Sequence, residues 1–392
     1  MSRLECTVCH AAFDFQPLLL GCPRCRARGV RAPLEVRYEL KRLDPALPAE
    51  RPGHGIWRWR ALLPGFCETS ITTLDEGHTG LPSLAARGGR HILLKNETTN
   101  PTWSWKDRAM SVSISAAREM GFRRIAAVST GNHGVAASAY AAAAGMECTV
   151  FCHPEAPEMQ MALMQFYGAR VFRGGNRERM LTRLVEAGEC FPASIYCPRD
   201  GCANPFGVEG FKTIAFEIFE QFGGVPDSVF VPTGSGDGFF GICKGFRELH
   251  EVGATDRMPR MFLCQAAAVA PYVRAFQTGG RLEAVKPAPT AALSIAEPIG
   301  GLHAFLALRL AQGYAVEASE EEIQGAVRLA GSQGFAIEAA SAAALACAVR
   351  AGEEAGESRV VIASGAAIKW PSGIIRDFIP PPVLPPDCED AG

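Results

Sequence analysis

The chain has 392 residues, 48% hydrophobic and 20% charged, a balance that fits two or three folded domains with a sizeable core and excludes a disordered polyelectrolyte. A formal net charge of −2 supplies no global attraction to nucleic acid or an anionic membrane, so neither is expected as a partner. The most apolar stretch, residues 134–145, falls short of the about 20 residues a bilayer span needs. No apolar run follows a basic start, so the expected location is the cytoplasm.

Residues 1–36 read as a unit of their own. Cys6-x-x-Cys9 and Cys22-x-x-Cys25 form two knuckles separated by twelve residues. Four thiolates so spaced can close a tetrahedron around zinc, and a segment with almost no core needs such a staple. A zinc ribbon holding one structural Zn2+ on Cys6, Cys9, Cys22 and Cys25 is therefore expected. The other ten cysteines, from Cys67 to Cys388, show no pattern and read as reduced, buried small hydrophobes. Arg24, Arg26, Arg28 and Arg31 read as a solvated basic face.

Residues 37–378 are expected to form the main body, with a smaller subdomain at about 100–200 and a proline-rich tail at 379–392. Strands are predicted at 91–95, 125–129, 147–152, 169–172, 228–231, 261–265 and 360–363. Helices are predicted at 106–120, 133–145 and 156–167, and another from 239 after a glycine turn at 234–238. Short apolar runs alternating with helices predict an α/β protein with parallel sheets.

Three segments suggest chemistry. Lys106 lies between two tryptophans and an Asp-Arg pair in Asn-Pro-Thr-Trp-Ser-Trp-Lys-Asp-Arg (100–108). An aromatic, partly desolvated setting lowers an amine's pKa, as a Schiff-base lysine requires. Ser-Thr-Gly-Asn-His-Gly (129–134) and Gly-Ser-Gly-Asp-Gly (234–238) each follow an apolar run and open a helix, where free N–H groups attract anions. Such turns also serve as plain strand-to-helix connections. A lysine of this kind with anion-binding turns suggests pyridoxal phosphate.

Further ordered motifs are Glu-Gly-His-Thr-Gly-Leu (76–81), Lys-Asn-Glu-Thr-Thr-Asn-Pro-Thr (95–102), Tyr-Gly-Ala (167–169), Asn-Pro-Phe (204–206), Glu-Ala-Ala-Ser-Ala-Ala (338–343) and Ala-Ser-Gly (363–365). With them the chain, from about Gly55 to Lys369, resembles the threonine synthase branch of the fold type II pyridoxal-phosphate enzymes. That group also holds cysteine synthases, ammonia-lyases and racemases of serine or threonine. The resemblance implies two open parallel-sheet domains around the cofactor, an amino-acid substrate and a homodimer. It implies that Lys106 bonds the cofactor and then takes the substrate's α-proton, and that Asn132 binds the ring hydroxyl. Ser129, Thr130 and Gly131 would bind the substrate carboxylate. Gly234, Ser235, Gly236 and Gly238 would cradle the phosphate, and Ser364 would face the ring nitrogen. Asp237 is expected to turn away from the phosphate, which its charge repels. His133 reads as a packing residue.

The implied reaction is elimination or replacement of a β- or γ-substituent. The resemblance strains at Gly207, where threonine synthases typically place an arginine that suits a substrate phosphate; Lys212 and Arg108 are the candidate substitutes. Ser-Gly-Ala-Ala-Ile-Lys (364–369) leans toward the ammonia-lyases. A serine/threonine ammonia-lyase or a β-replacement synthase is therefore the alternative. A non-catalytic regulatory homologue is the alternative of another class, and the intact Lys106, Asn132 and glycine turn argue against it.

Overall fold

Short apolar runs bounded by turns become strands where both faces can be covered, and this rule builds most of the molecule. A computed structural model describes residues 3–30, 32–40, 55–86, 89–129, 131–194 and 204–370. The first unit is a three-stranded antiparallel sheet of Arg3–Cys6 (β1), Ala12–Phe13 (β2) and Leu34–Arg37 (β3), ordered β2-β1-β3, with the one-turn helix Pro23–Arg26 (α1).

The body then runs Ser83–Ala85 (β4), His91–Asn96 (β5), Lys106–Glu119 (α2), Arg124–Val128 (β6), Asn132–Ala143 (α3) and Glu147–Cys152 (β7). Next come Glu158–Phe166 (α4), Arg170–Arg173 (β8), Arg177–Glu186 (α5), Phe191–Pro192 (β9), Gly207–Phe222 (α6), Ser228–Pro232 (β10) and Asp237–Glu251 (α7). Arg260–Ala266 (β11), Pro271–Gln277 (α8), Leu302–Leu310 (α9), Tyr314–Ala318 (β12), Glu320–Gly331 (α10), Ala339–Arg350 (α11) and Arg359–Ala363 (β13) follow. The stretch 379–392 lies outside the described residues.

Two sheets organise these elements. The larger is ordered β12-β11-β10-β13-β5-β4 and is parallel except where β4 pairs antiparallel with β5. The smaller, β8-β7-β6-β9, is parallel throughout. The expected α/β class and parallel pairing are what the fold shows. Phe230, Phe262 and Tyr314 stack across the larger sheet at centroid spacings of 4.2 and 4.9 Å. Element boundaries shift by one or two residues from those expected; α7, for instance, begins at Asp237 rather than at 239, because Gly236 takes φ +100° and turns the chain into the helix at once.

In open α/β sheets, ligands gather where the strands end at their carboxyl side. Here β6 runs into the 129–131 turn, β10 into Thr233–Gly236 and β13 into Ser364–Ala366. Among the described residues, no helix is long and apolar enough to cross a membrane.

Candidate active site

Lys106 opens α2, and the loop before it is pinned to the end of β13. Trp105 N donates to Ser364 O (2.9 Å), Ala366 N donates to Trp103 O (2.9 Å), and Ser104 bridges Gly365. The amine lies 5.6 Å from the Trp105 ring centre and 5.2 Å from that of Phe211. Those two rings pack at 5.0 Å. A Cβ on Gly238 would lie 2.4 Å from the Trp105 ring, so the glycine is what lets the indole reach the start of α7. Lys106 keeps some accessible surface. Desolvation still lowers its pKa, only partly offset by the negative charges of Asp237 and Glu338.

Glu338, at the start of α11, ties the other side together. One oxygen accepts from Asn132 Nδ2 (2.8 Å) and the other from Ser364 Oγ (3.0 Å) and Ser294 Oγ (3.1 Å). Ser364 Oγ also meets Ser341 Oγ at 3.1 Å. Glu338, Asn132, Ser341 and Ser364 are buried, Ser294 is exposed, and Asn132 Oδ1 has no partner. A Cβ on Gly365 would sit 3.0 Å from the Glu338 carboxylate. Sequence motifs point to Asn132 and Ser364; Glu338 lies inside one of those motifs, and nothing in the motif itself marks its role.

The turn after β6 works differently from a row of open donors. Ser129 Oγ accepts from Gly131 N (3.1 Å) and Gly134 N (2.8 Å), which fastens the start of α3. Thr130 lies outside the described residues. His133 Nε2 is buried without a partner. Burial, then the charge of Lys106, push the imidazole down to about 3 despite Asp237. Both influences favour the neutral ring.

The glycine turn after β10 brings Gly234, Ser235, Gly236 and Gly238 to the N-terminus of α7. Tyr272 Oη supports it by donating to Ser235 O (2.8 Å). Asp237 accepts from Ser235 Oγ (2.8 Å) and lies 3.2 Å from His303 Nε2. Burial alone would raise this carboxyl, but His303, Lys106 and the serine hydroxyl hold it below its ordinary value.

The two cations expected to replace an arginine at Gly207 are not available for that purpose. Arg108 is fully buried, with Nε on Glu97 (2.7 Å) and Nη1 on Glu217 (2.8 Å), and it also meets Thr79 and Thr213. Lys212 is fully buried between Glu209 (2.7 Å) and Glu248 (2.9 Å). Lys369 is 1% exposed and its amine donates to Thr102 O. Burial lowers it to about 8, against the pull of Glu338 and Asp107.

In the N-terminal unit, the sulfurs of Cys6, Cys9, Cys22 and Cys25 all lie within 4.8 Å of one another. Cys6–Cys25 and Cys9–Cys22 are each 3.7 Å apart, too far for a disulfide. The amides of Val8 and Cys9 point to Cys6 Sγ at 3.4 Å.

A family model described as "Pyridoxal-phosphate dependent enzyme" matches residues 72–365. The threonine synthase of Methanocaldococcus jannaschii is 33% identical over 394 residues, covering 95% of this chain and 94% of that protein. The threonine synthase of Methanosarcina acetivorans is 32% identical, covering 88% and 86%. Among solved structures, a threonine deaminase of T.th. matches with a TM-score of 0.63 at 24% identity, over 77% of this chain and 94% of that one. Maize serine racemase matches with a TM-score of 0.63 at 18% identity, over 76% and 92%. The structural likeness speaks for the fold. The family model and near full-length relatives go further: the chain belongs to the pyridoxal-phosphate dependent enzyme family.

Proposed function

We propose that this enzyme is a lyase that eliminates or replaces a β- or γ-substituent of an amino acid, in the manner of the threonine synthases, with Lys106 as its cofactor-bearing residue. The observation that carries the reading is the amine of Lys106, desolvated against Trp105 and Phe211. The residues present fit the cofactor. Asn132 Oδ1 and Ser104 Oγ are buried polar atoms without partners around Lys106. The turn before α7 offers backbone N–H groups to a phosphate. At Gly236, φ is +100° and a Cβ would fall 2.3 Å from Ala304 Cβ, so only glycine fits there.

In this reading Lys106 holds the cofactor's aldehyde carbon, Asn132 its ring hydroxyl and Ser364 its ring nitrogen. Gly234, Ser235, Gly236 and Gly238 hold its phosphate. Bound there, the cofactor supplies a sink for the electron pair left when an α-proton departs. The chain's own residues do the rest. Once the substrate's amine has taken its place on the aldehyde carbon, the released Lys106 Nζ would accept the α-proton, and desolvation favours its neutral form. Trp105 and Phe211 keep water from that atom. Glu338 fixes the orientation of Asn132 and Ser364 from behind. The substrate carboxylate belongs at Ser129–Gly131, at the positive N-terminal end of α3.

Zinc belongs to the same proposal. A tetrahedron with Zn–S of about 2.3 Å has edges of about 3.8 Å, and the two sulfur pairs at 3.7 Å match it. Four thiolates close the shell, so the ion is structural.

One observation favours the ammonia-lyase reading over a phosphoester substrate: α6 starts at Gly207 and both nearby cations are locked in buried pairs. The test is a panel of O-phosphohomoserine, threonine, serine, O-acetylserine and phosphoserine with the purified holoenzyme, assaying phosphate, oxoacid and ammonia. Threonine and phosphate from O-phosphohomoserine establish a threonine synthase. Ammonia and oxoacid from serine or threonine establish an ammonia-lyase. Cofactor absorption without turnover of any of them sinks the lyase reading and leaves a regulatory homologue.

A further inference from the structure

Among the described residues, the turn between β6 and α3 turns donors inward. The Gly131 amide goes to Ser129 Oγ, and the Ser129 hydroxyl faces Gly131 O at 3.4 Å. What covers the turn is Trp370. A Cβ on Gly131 would lie 2.6 Å from Cζ2 and 3.0 Å from Cη2 of that indole, and 3.6 Å from Cδ of Gln160. Cζ2 is the ring edge next to the indole N–H.

Trp370 is 7% exposed, and its Nε1 is buried with no partner. An indole N–H is a donor only, and an unmet buried donor costs stability unless something fills it. Gln160 is fully buried; its Nε2 donates to Lys369 O (3.2 Å) and its Oε1 has no partner. The segment is held from the opposite side as well. Trp370 N donates to Ala367 O (2.8 Å), and the Lys369 amine donates to Thr102 O in the loop that carries Lys106. The indole is thus clamped between the lysine loop and the start of α3.

We propose that Trp370 donates its Nε1 proton to the α-carboxylate of the amino-acid substrate at the first turn of α3, making it a specificity residue for ligands with a free carboxylate. Gln160 is a positioning residue that sets the indole through the Lys369 carbonyl. The inference rests on the amino-acid site proposed above and adds a contact from outside the turn between β6 and α3.

Trp370→Phe keeps a ring against Gly131 and removes the donor. The probes are L-serine and 2-aminoethanol, which differ only by the carboxylate, titrated into holoenzyme while the cofactor's absorption is followed. Wild type should bind serine more tightly than 2-aminoethanol. Trp370→Phe should raise half-saturation by serine about tenfold, the scale of a lost hydrogen bond to a charged group, and leave 2-aminoethanol unchanged. Where serine is turned over, KM should move and kcat should change far less. Gln160→Leu should weaken serine selectively and by less, and it serves as the second variant should the phenyl ring repack. Equal weakening of both probes, or of neither, would show that Trp370 only packs and would overturn the proposal. Wild-type protein that takes up no cofactor overturns the functional reading itself, and this proposal with it.

Discussion

At Lys106 three influences meet on one amine: loss of water lowers its pKa, while Asp237 and Glu338 raise it and lose. An amine attacks an aldehyde only when unprotonated. Uptake of pyridoxal phosphate by the apoenzyme should therefore rise with pH and level off below the ordinary lysine value of about 10.4; stopped-flow absorption across pH reads the inflection. Replacing Asp237 with Asn removes a charge that raises the pKa, so the inflection should move further down. Lys106→Ala should eliminate the absorption of the lysine-bound cofactor and lower turnover by at least about 10²–10⁴-fold, the usual worth of a positioned base. Full activity in that variant would sink the assignment. Glu338→Ala leaves the Asn132 amide and the Ser364 hydroxyl without their acceptor, and should cost about 1–3 kcal/mol in urea unfolding of the apoprotein. Lys106, Asn132 and Ser364 are legible in the sequence because each sits in a short ordered motif. Glu338 is not. A carboxylate just before an alanine-rich helix reads as a helix-start residue, yet its side chain caps nothing and turns to two serines and an asparagine far away in sequence.

Among the elements, α2 shows why nearness in sequence misleads. Arg108 is two residues from Lys106, but two residues on a helix rotate by about 200°. The same helix therefore turns one cation to the aromatic wall and the other into a carboxylate pair. Glu217 makes the point from the other side: burial would raise its pKa, but Arg108 and Lys95 hold it far below the carboxylate range. Arg108→Ala would leave buried Glu97 without its cation and Glu217 with Lys95 as its remaining one, and should destabilise by about 3–5 kcal/mol, read from the urea midpoint at unchanged slope. A loss below about 1 kcal/mol, the scale of an exposed pair, would mean that water enters to solvate the carboxylates. Strands are legible from apolar runs, since parallel strands need cover on both faces. Helices α6 and α7 are harder. Their charged residues at Glu209, Lys212, Lys244 and Glu248 have the spacing of a solvated face, but all four are buried against one another.

For the molecule as a whole, that charged quartet explains where the cysteine unit sits. Tyr38 donates to Glu209 (2.8 Å), Lys244 donates to the Val36 carbonyl, and Arg247 pairs with Glu35 (2.9 Å). Strand β3 and the residue after it therefore cover charges shared by α6 and α7. Four cysteines at two local spacings announce a metal site because tetrahedral geometry is set by a few residues. Docking onto distant helices leaves no such local trace. Two consequences separate. The quartet pairs two lysines with two glutamates and is balanced in charge, so uncovering it hydrates it without stranding a lone ion. Loss of the ribbon should then loosen the α6–α7 pair but leave the turn at 234–238 able to take a phosphate. Protein purified without chelator should carry one zinc per chain by elemental analysis, and its absence would refute the ribbon. Deleting residues 1–36 removes Glu35 and the Val36 carbonyl, and should lower the melting temperature by about 2–4 °C for each kcal/mol lost. The absorption of the lysine-bound cofactor should persist in that shortened chain at low temperature. Its disappearance there, with the fold intact by far-ultraviolet circular dichroism, would show that the ribbon is needed to shape the cofactor site through Phe211 and the start of α7.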